Sequence, residues 1–130
     1  METKETLTPN QILDALKHFT GSEQFYQHRI LNGSNMLVTD GIQFLKDACS
    51  CYWLIDQILI NQIKLKVQPF QVWKLQKASK SKPNESNWEL ICEDGNDKLL
   101  SKETIPYSDF PLETIVIWVV DNVAILPSEY

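Results

Sequence analysis

The spacing of apolar residues changes near Pro69, and this change constrains the fold more than any other feature of the sequence. Before Pro69, apolar residues recur every three or four positions, which is typical of helices that bury one face. After it, apolar and polar residues alternate or form short apolar runs, as they do in β-strands. Helices first and strands afterwards predict an α+β domain.

The first helix is predicted to start at Thr8. Thr8 can cap a helix, Pro9 suits its first position, and Gln11 completes a capping box. Gly21 is placed to end this helix in a left-handed turn. Residues 22–29 mix polar and aromatic side chains, and we expect a helical turn or a short bend there.

The longest predicted helix covers residues 41–62, with Asp40 as its cap. Apolar residues surround most of its middle, so we expect it to be the central helix of the domain. A short strand, residues 36–38, should precede it.

The second half is predicted to be an antiparallel meander. Its expected strands are residues 70–77, 88–93, 98–100, 113–120 and 123–126. Tight turns are expected at Asp94–Gly95 and at Asp121–Asn122. The predicted fold is therefore α+β: an N-terminal helix and a long central helix packed on a C-terminal antiparallel sheet of about four to five strands.

Length and charge narrow the possible classes of protein. The chain has 130 residues, which suits a single domain over residues 1–130 because domains cluster at roughly 100–150 residues.

The net charge of −5 argues against nucleic acid as a partner. The charge is uneven, since residues 1–84 contain 7 acidic and 10 basic residues, and residues 85–130 contain 10 acidic and 2 basic residues. The lysine-rich stretch 64–82 around Trp73 could suggest nucleic acid, but a solvated hairpin explains it better.

Cysteine usage and hydropathy favour a cytoplasmic protein. The three cysteines are an odd number and do not form the framework of a small secreted protein. No signal peptide is visible, and no apolar run approaches the roughly 20 residues of a membrane span.

Cys49 and Cys51 are two apart, so on one helix they would point in different directions, and we predict packing rather than metal binding. Phosphate-binding, dinucleotide-binding and H-E-x-x-H motifs are absent from the sequence, so we expect no cofactor.

Nine polar or aromatic residues are candidates for a ligand or partner site. They are Glu23, Tyr26, His28, Asp40, Trp53, Asp56, Trp73, Tyr107 and Asp109. Asp56 interrupts an apolar stretch, and a carboxylate there must be paired or face solvent. Tyr107 and Asp109 lie in a loop between two prolines, and rigid loops suit recognition.

Several segments together resemble a known family. They are residues 19–26 (FTGSEQFY), 39–41 (TDG), 52–56 (YWLID), 70–75 (FQVWKL), 107–112 (YSDFPL) and 126–130 (LPSEY). The family consists of uncharacterised bacterial proteins, including cyanobacterial ones, and is described as a domain of unknown function. The resemblance implies a small single-domain protein; it brings no activity and no catalytic residues.

Two functions remain open from the sequence. The first is a non-enzymatic protein-binding or regulatory domain, in which a sheet surface or residues 21–29 hold a protein partner or a second copy of the chain. The second is a small hydrolase or ligand-binding protein with a polar pocket of His28, Asp40, Asp56 and Tyr107. The two differ in whether these four side chains converge.

Overall fold

A computed structural model of the chain describes residues 7–20, 24–29, 35–65, 68–77, 88–105 and 110–130. These residues contain three α-helices, seven strands and a short 3₁₀ helix. In chain order the elements are α1 (Pro9–Leu16), β1 (Phe25–Arg29), β2 (Asn35–Thr39), α2 (Asp40–Cys49), α3 (Tyr52–Leu65), β3 (Phe70–Lys77), β4 (Trp88–Glu93), β5 (Leu99–Ile105), β6 (Thr114–Val120), β7 (Val123–Ile125) and the 3₁₀ helix (Pro127–Glu129). The prediction of an α+β fold is confirmed.

The described strands form one mixed sheet in the order β1-β2-β7-β6-β3-β4-β5. All neighbours are antiparallel except β2 and β7, which run parallel, with Leu37 opposite Val123 and Val38 opposite Ala124. The predicted four to five antiparallel strands are therefore too few. The difference arises because β1 and β2, from the N-terminal half, pair with each other and join the meander through β7.

The prediction of a helical turn or bend over residues 22–29 is wrong for residues 25–29. Phe25–Arg29 form β1, paired in register with β2 from Phe25 opposite Thr39 to Arg29 opposite Asn35. Residues 22 and 23 lie outside the described residues. Aromatic residues favour strands, but the segment becomes a strand through pairing with β2.

The long helix predicted over residues 41–62 is in fact two helices. Ser50 adopts the left-handed conformation, with φ 51° and ψ 42°, and ends α2. The amide of Cys51 then donates to the carbonyl of Lys46 at 3.1 Å, and α3 begins at Tyr52. The cap is also one residue earlier than predicted, because Thr39 Oγ1 accepts from the amide of Ile42.

The start of α1 is confirmed, whereas its end lies earlier than predicted. The Thr8 hydroxyl accepts from the Gln11 amide at 3.2 Å, and the Gln11 side chain accepts from the Thr8 amide at 2.9 Å. The helix ends at Leu16, with Lys17 as its C-cap. Gly21, the predicted terminator, lies outside the described residues.

The C-terminal strands and turns follow the sequence pattern closely. β3 and β4 have the predicted bounds, and β5 continues to Ile105, five residues beyond the predicted end at Leu100. Asp121 and Asn122 both have positive φ, 49° and 68°, as a tight hairpin requires. Gly95 has φ 88° in the preceding hairpin.

The helices cover one face of the sheet and enclose the core. Trp73 of β3 and Leu90 of β4 point to this face and are almost completely buried. They belong to one apolar cluster with Ile12 of α1, Ile42 of α2 and Ile55 of α3. All three helices therefore contribute to a single core.

The other face of the sheet is half-buried and of mixed character. Lys74 and Glu93 form an ion pair at 2.9 Å across β3 and β4. Phe70, Trp118 and Tyr130 form an aromatic group whose ring centroids lie 5.2 to 6.0 Å apart. This group ties the C-terminal residue to the sheet.

A buried carboxylate joins the 3₁₀ helix to the junction between β2 and α2. Glu129 accepts from the Thr39 hydroxyl at 2.6 Å, the Leu126 amide at 3.0 Å and the Gly41 amide at 3.3 Å. A Cβ at Gly41 would lie 2.5 Å from both Glu129 Oε1 and Leu126 Cδ1, so any larger residue there would displace these buried side chains. We call these four residues the carboxylate clasp; the carboxylate also lies favourably at the positive end of α2.

Loss of the carboxylate clasp should destabilise the fold. Glu129→Ala leaves a buried hydroxyl and two amides without this acceptor, and we expect a loss of about 2–4 kcal/mol in the free energy of unfolding. Urea denaturation measures it. Glu113→Ala, at an exposed position, is the matched control and should change stability by less than about 0.5 kcal/mol. Equal effects of the two substitutions would contradict the clasp.

Cys92 should make the fold less stable at alkaline pH. Burial, helped by the charge of Glu93, raises the pKa of the Cys92 thiol from about 9 to about 12. The unfolded chain therefore releases this proton first, so the stabilisation present below pH 9 is lost as the pH rises toward 12. The slope is at most about 1.4 kcal/mol per pH unit.

Cys92→Ala isolates this contribution. The variant is destabilised by its cavity at every pH, but its stability deficit relative to wild type should shrink by about 1–2 kcal/mol between pH 8 and pH 10.5. Urea denaturation at the two pH values measures the deficit. A deficit that stays constant would show that the Cys92 pKa is not raised.

Candidate functional site

Strand β1 lies at one end of the sheet and is exposed along most of its length. Among the described strands only β2 pairs with it. Four of its five residues are exposed, including Phe25 at 52% and Tyr26 at 37%. His28 is the exception, with 6% exposure. One edge of the β1 backbone thus faces away from the sheet, while His28 anchors the strand inward.

His28 is held from two helices at once. Its Nδ1 lies 2.9 Å from Nζ of Lys46 on α2, and its Nε2 lies 2.6 Å from Oδ1 of Asp56 on α3. An ammonium group can only donate, so Nδ1 accepts from Lys46. His28 is then neutral, and its Nε2–H donates to the Asp56 carboxylate. We call these three residues the His28 bridge.

Lys46 is almost completely buried, with 4% exposure. Besides His28, it donates to Gln43 Oε1 at 3.1 Å, and its ammonium lies 5.3 Å from the centre of the Tyr52 ring. Burial lowers the pKa of Lys46, whereas the charges of Asp47 and Asp56 act in the opposite direction. The buried cation is therefore compensated by a carboxylate, two acceptors and an aromatic face.

Sequence reasoning missed Lys46. A signal was present, because Lys46 lies four residues after Ile42 and three before Cys49, on the face of α2 that is buried. A lysine on the apolar face of a helix requires a partner. The partner His28 is 18 positions away in the chain, and the sequence pattern alone does not connect the two.

The four residues of the predicted polar pocket have different surroundings. His28 and Asp56 are in direct contact, as described above. Asp40 instead interacts with the Tyr26 hydroxyl and raises the pKa of Tyr26. That hydroxyl donates its proton to Gln24 Oε1 at 3.0 Å. Tyr107, with the candidates Glu23 and Asp109, lies outside the described residues.

The two candidate tryptophans pack in the core or against it. Trp53 is half-buried and packs against the core. Trp73 is 1% exposed, and its indole donates to Gln71 at 2.9 Å, so it is not available for stacking on a base. Its neighbour Lys74 is paired with Glu93, and Lys77 lies 5.7 Å from the Trp88 ring centre. Of the described lysines in this stretch, Lys74 and Lys77 make contacts within the sheet, whereas Lys64 is exposed on α3.

The cysteine pair differs from expectation. We expected the side chains of Cys49 and Cys51 to diverge on one helix, but α2 ends at Cys49, and the Cys51 thiol donates to the carbonyl of Leu45 at 3.5 Å. The interaction between the two thiols lowers the pKa of Cys49 and raises that of Cys51. Both are buried and free. Within the described ranges, no group of three or more His, Cys, Asp or Glu residues is arranged to hold a metal ion.

The His28 bridge is suited to holding β1 in place. Both nitrogens of His28 are occupied, so it can accept a proton from a substrate only after breaking the bond to Lys46. The cavity that we can describe, about 230 Å³ between α1 and residues 126–128, is lined mainly by apolar side chains and by none of the nine candidate residues. The described geometry thus supports positioning rather than catalysis.

His28 and Lys46 should be energetically coupled. His28→Ala leaves the buried ammonium with one acceptor fewer, and we expect a loss of about 2–4 kcal/mol in the free energy of unfolding. In a Lys46→Met background the same substitution should cost at least about 1 kcal/mol less. Urea denaturation of the four chains at pH 7.5 completes this double-mutant cycle. Additive effects, within about 0.5 kcal/mol, would contradict the bridge.

None of the helices in the described part of the chain is long and apolar enough to cross a membrane. No curated protein and no solved structure shows significant similarity to the chain. A family model, that of a family of unknown function (DUF6876), matches residues 10–130. It spans every described helix and strand except the first residue of α1. The chain therefore belongs to the family of unknown function DUF6876.

Proposed function

We propose that the chain is a non-enzymatic binding protein that holds a protein partner at the edge of β1 with which no described strand pairs. The observation that carries this proposal is the position of β1 at the end of the sheet with four of its five residues exposed. An edge strand offers unpaired backbone N–H and C=O groups, to which an extended segment can add as a further strand. The site falls within residues 21–29, which the sequence indicated.

The two edges of the sheet differ in protection against strand addition. β5, at the other edge, carries Lys102 in its middle, and its pairing with β4 is irregular at Cys92 and Glu93. Lysines and bulges are the usual means of blocking an edge. β1 contains no lysine or proline, and its pairing with β2 is regular over all five residues. Among the described strands, β5 is therefore protected against strand addition and β1 is suited to it.

The side chains of β1 point alternately to the two faces of the sheet. Phe25, Gln27 and Arg29 alternate with Tyr26 and His28 along the strand, so they point to the face without helices. Exposed aromatic residues and arginine are enriched where proteins bind each other. Main-chain bonds would give affinity and these side chains specificity.

The His28 bridge supports the same function. A free edge strand held by one neighbour would lose conformational entropy when a partner binds. The bonds from His28 to Lys46 and Asp56 fix β1 against α2 and α3 before any partner arrives. A preformed edge binds at a smaller entropic cost.

We further propose a single domain in a bacterial, cytoplasmic setting. The three buried free thiols accord with a reducing compartment. The small hydrolase or ligand-binding protein considered above receives less support, because the described contacts occupy both nitrogens of its central histidine.

A charge on β1 should abolish partner binding. Phe25→Lys places a lysine at the edge in an exposed position, where it should leave the fold intact while blocking strand addition. The immobilised protein is incubated with a lysate of the cells that naturally produce it, and retained proteins are quantified. We expect at least a tenfold loss of the specific partner.

Thr104→Lys, at an exposed position on β5, is the matched control and should retain the partner. A partner that the Phe25→Lys variant retains as well as wild type does would contradict binding at β1. Absence of any specifically retained protein, together with a monomeric purified chain, would also contradict the proposal.

A further inference from the structure

We infer that a second copy of this chain is the partner, and that the two β1 strands pair antiparallel about a two-fold axis at Gln27. The inference rests on the proposed function, because it uses the same edge of β1. The resulting dimer would join two seven-stranded sheets into one continuous sheet. The inference follows from the residues that lie opposite each other when β1, Phe-Tyr-Gln-His-Arg, pairs antiparallel with a second copy of itself.

The axis position is set by the length of β1. When identical strands pair about a two-fold axis, the residue on the axis lies opposite itself. An axis at Gln27 pairs all five residues of β1, whereas an axis at Tyr26 or His28 pairs only three of them with strand residues. The Gln27 register therefore offers the longest ladder.

The side-chain pairs in this register are compatible. Phe25 of each copy lies opposite Arg29 of the other, on the face without helices, where a guanidinium can stack on an aromatic ring. The two Gln27 amides can hydrogen-bond to each other, and Tyr26 lies opposite His28. No two like charges are opposed, since Arg29 is the strand's charged residue at neutral pH and its opposite is Phe25.

Neighbouring residues extend the contact. Leu37 lies beside Gln27 on β2 and is 42% exposed. In the dimer the two Leu37 side chains would flank the Gln27 pair, one on each side of the junction. Arg29 Nε donates to Gln27 Oε1 at 3.0 Å, which already holds the guanidinium along this face of β1.

The net charge of the chain predicts how salt concentration affects dimer formation. Each copy carries a net charge of −5, so two copies repel at long range. Salt screens this repulsion, while the proposed junction contains no ion pair for salt to weaken. The dimer should therefore hold or strengthen as salt rises from about 20 mM to about 300 mM.

Substitutions at Gln27 test both the dimer and its register. Sedimentation equilibrium on the purified chain, between about 1 and 100 μM, measures association. Wild type should form a dimer. Gln27→Lys and Gln27→Glu each place like charges opposite each other on the axis, so each should weaken association at least tenfold. An equimolar mixture of the two variants should restore association, because the ammonium of one variant would then face the carboxylate of the other.

Controls keep the outcomes distinct. Gln27 is exposed, so circular dichroism and the urea midpoint should be unchanged in both variants, and Thr104→Lys should dimerise as wild type does. A wild type that stays monomeric at the highest concentration would overturn the second copy as partner, while partner retention lost in Phe25→Lys would still uphold the proposed function. A dimer unaffected by the Gln27 variants, or one that the mixture fails to restore, would overturn the Gln27 register.

Discussion

The parallel pairing of β2 with β7 holds the two halves of this fold together. It consists of two paired positions, and without it the N-terminal hairpin would have no place in the sheet. So short a ladder contributes few hydrogen bonds and needs support from its surroundings. The carboxylate clasp supplies that support at one end of β2, since Glu129, just beyond β7, bonds to Thr39 at the end of β2. The core below it supplies the rest, because Val38 and Ala124 are both fully buried.

The same arrangement explains why β1 needs an anchor of its own. Within the described part of the chain, β1 pairs with the sheet on one side only, through β2. A two-stranded hairpin is marginally stable in water, so these backbone hydrogen bonds alone would not keep β1 paired with β2. An apolar residue at position 28 would pack against the helices, but it would not fix the strand relative to α2 and α3 in one geometry. His28 does so through two directed bonds. The bridge is also electrically balanced, since one cation and one carboxylate flank a neutral ring, and this limits the cost of burying Lys46.

The sequence predicted the part of the fold that is determined locally. The C-terminal strands alternate clearly, and their turns carry residues that tolerate positive φ, so their bounds were close to those observed. β1 was missed because a five-residue segment has too little pattern, and pairing with β2 decides its conformation. The break at Ser50 was missed because serine gives no signal for a left-handed conformation. Of the candidate site, His28 and Asp56 were predicted among the four members of one possible polar pocket, whereas Lys46 and the edge position of β1 depend on chain topology.

The carboxylate clasp also has a kinetic consequence. Glu129 lies 88 positions after Gly41 and 90 positions after Thr39, so the clasp closes one of the longest loops in the fold. Long loops are closed late, after hairpins and helices have formed, because the entropy of closure must be offset by contacts already made. The clasp should therefore be absent from the folding transition state and present in the native state. An interaction of that kind mainly slows unfolding, so the lifetime of the folded chain depends on the clasp more than its rate of folding does.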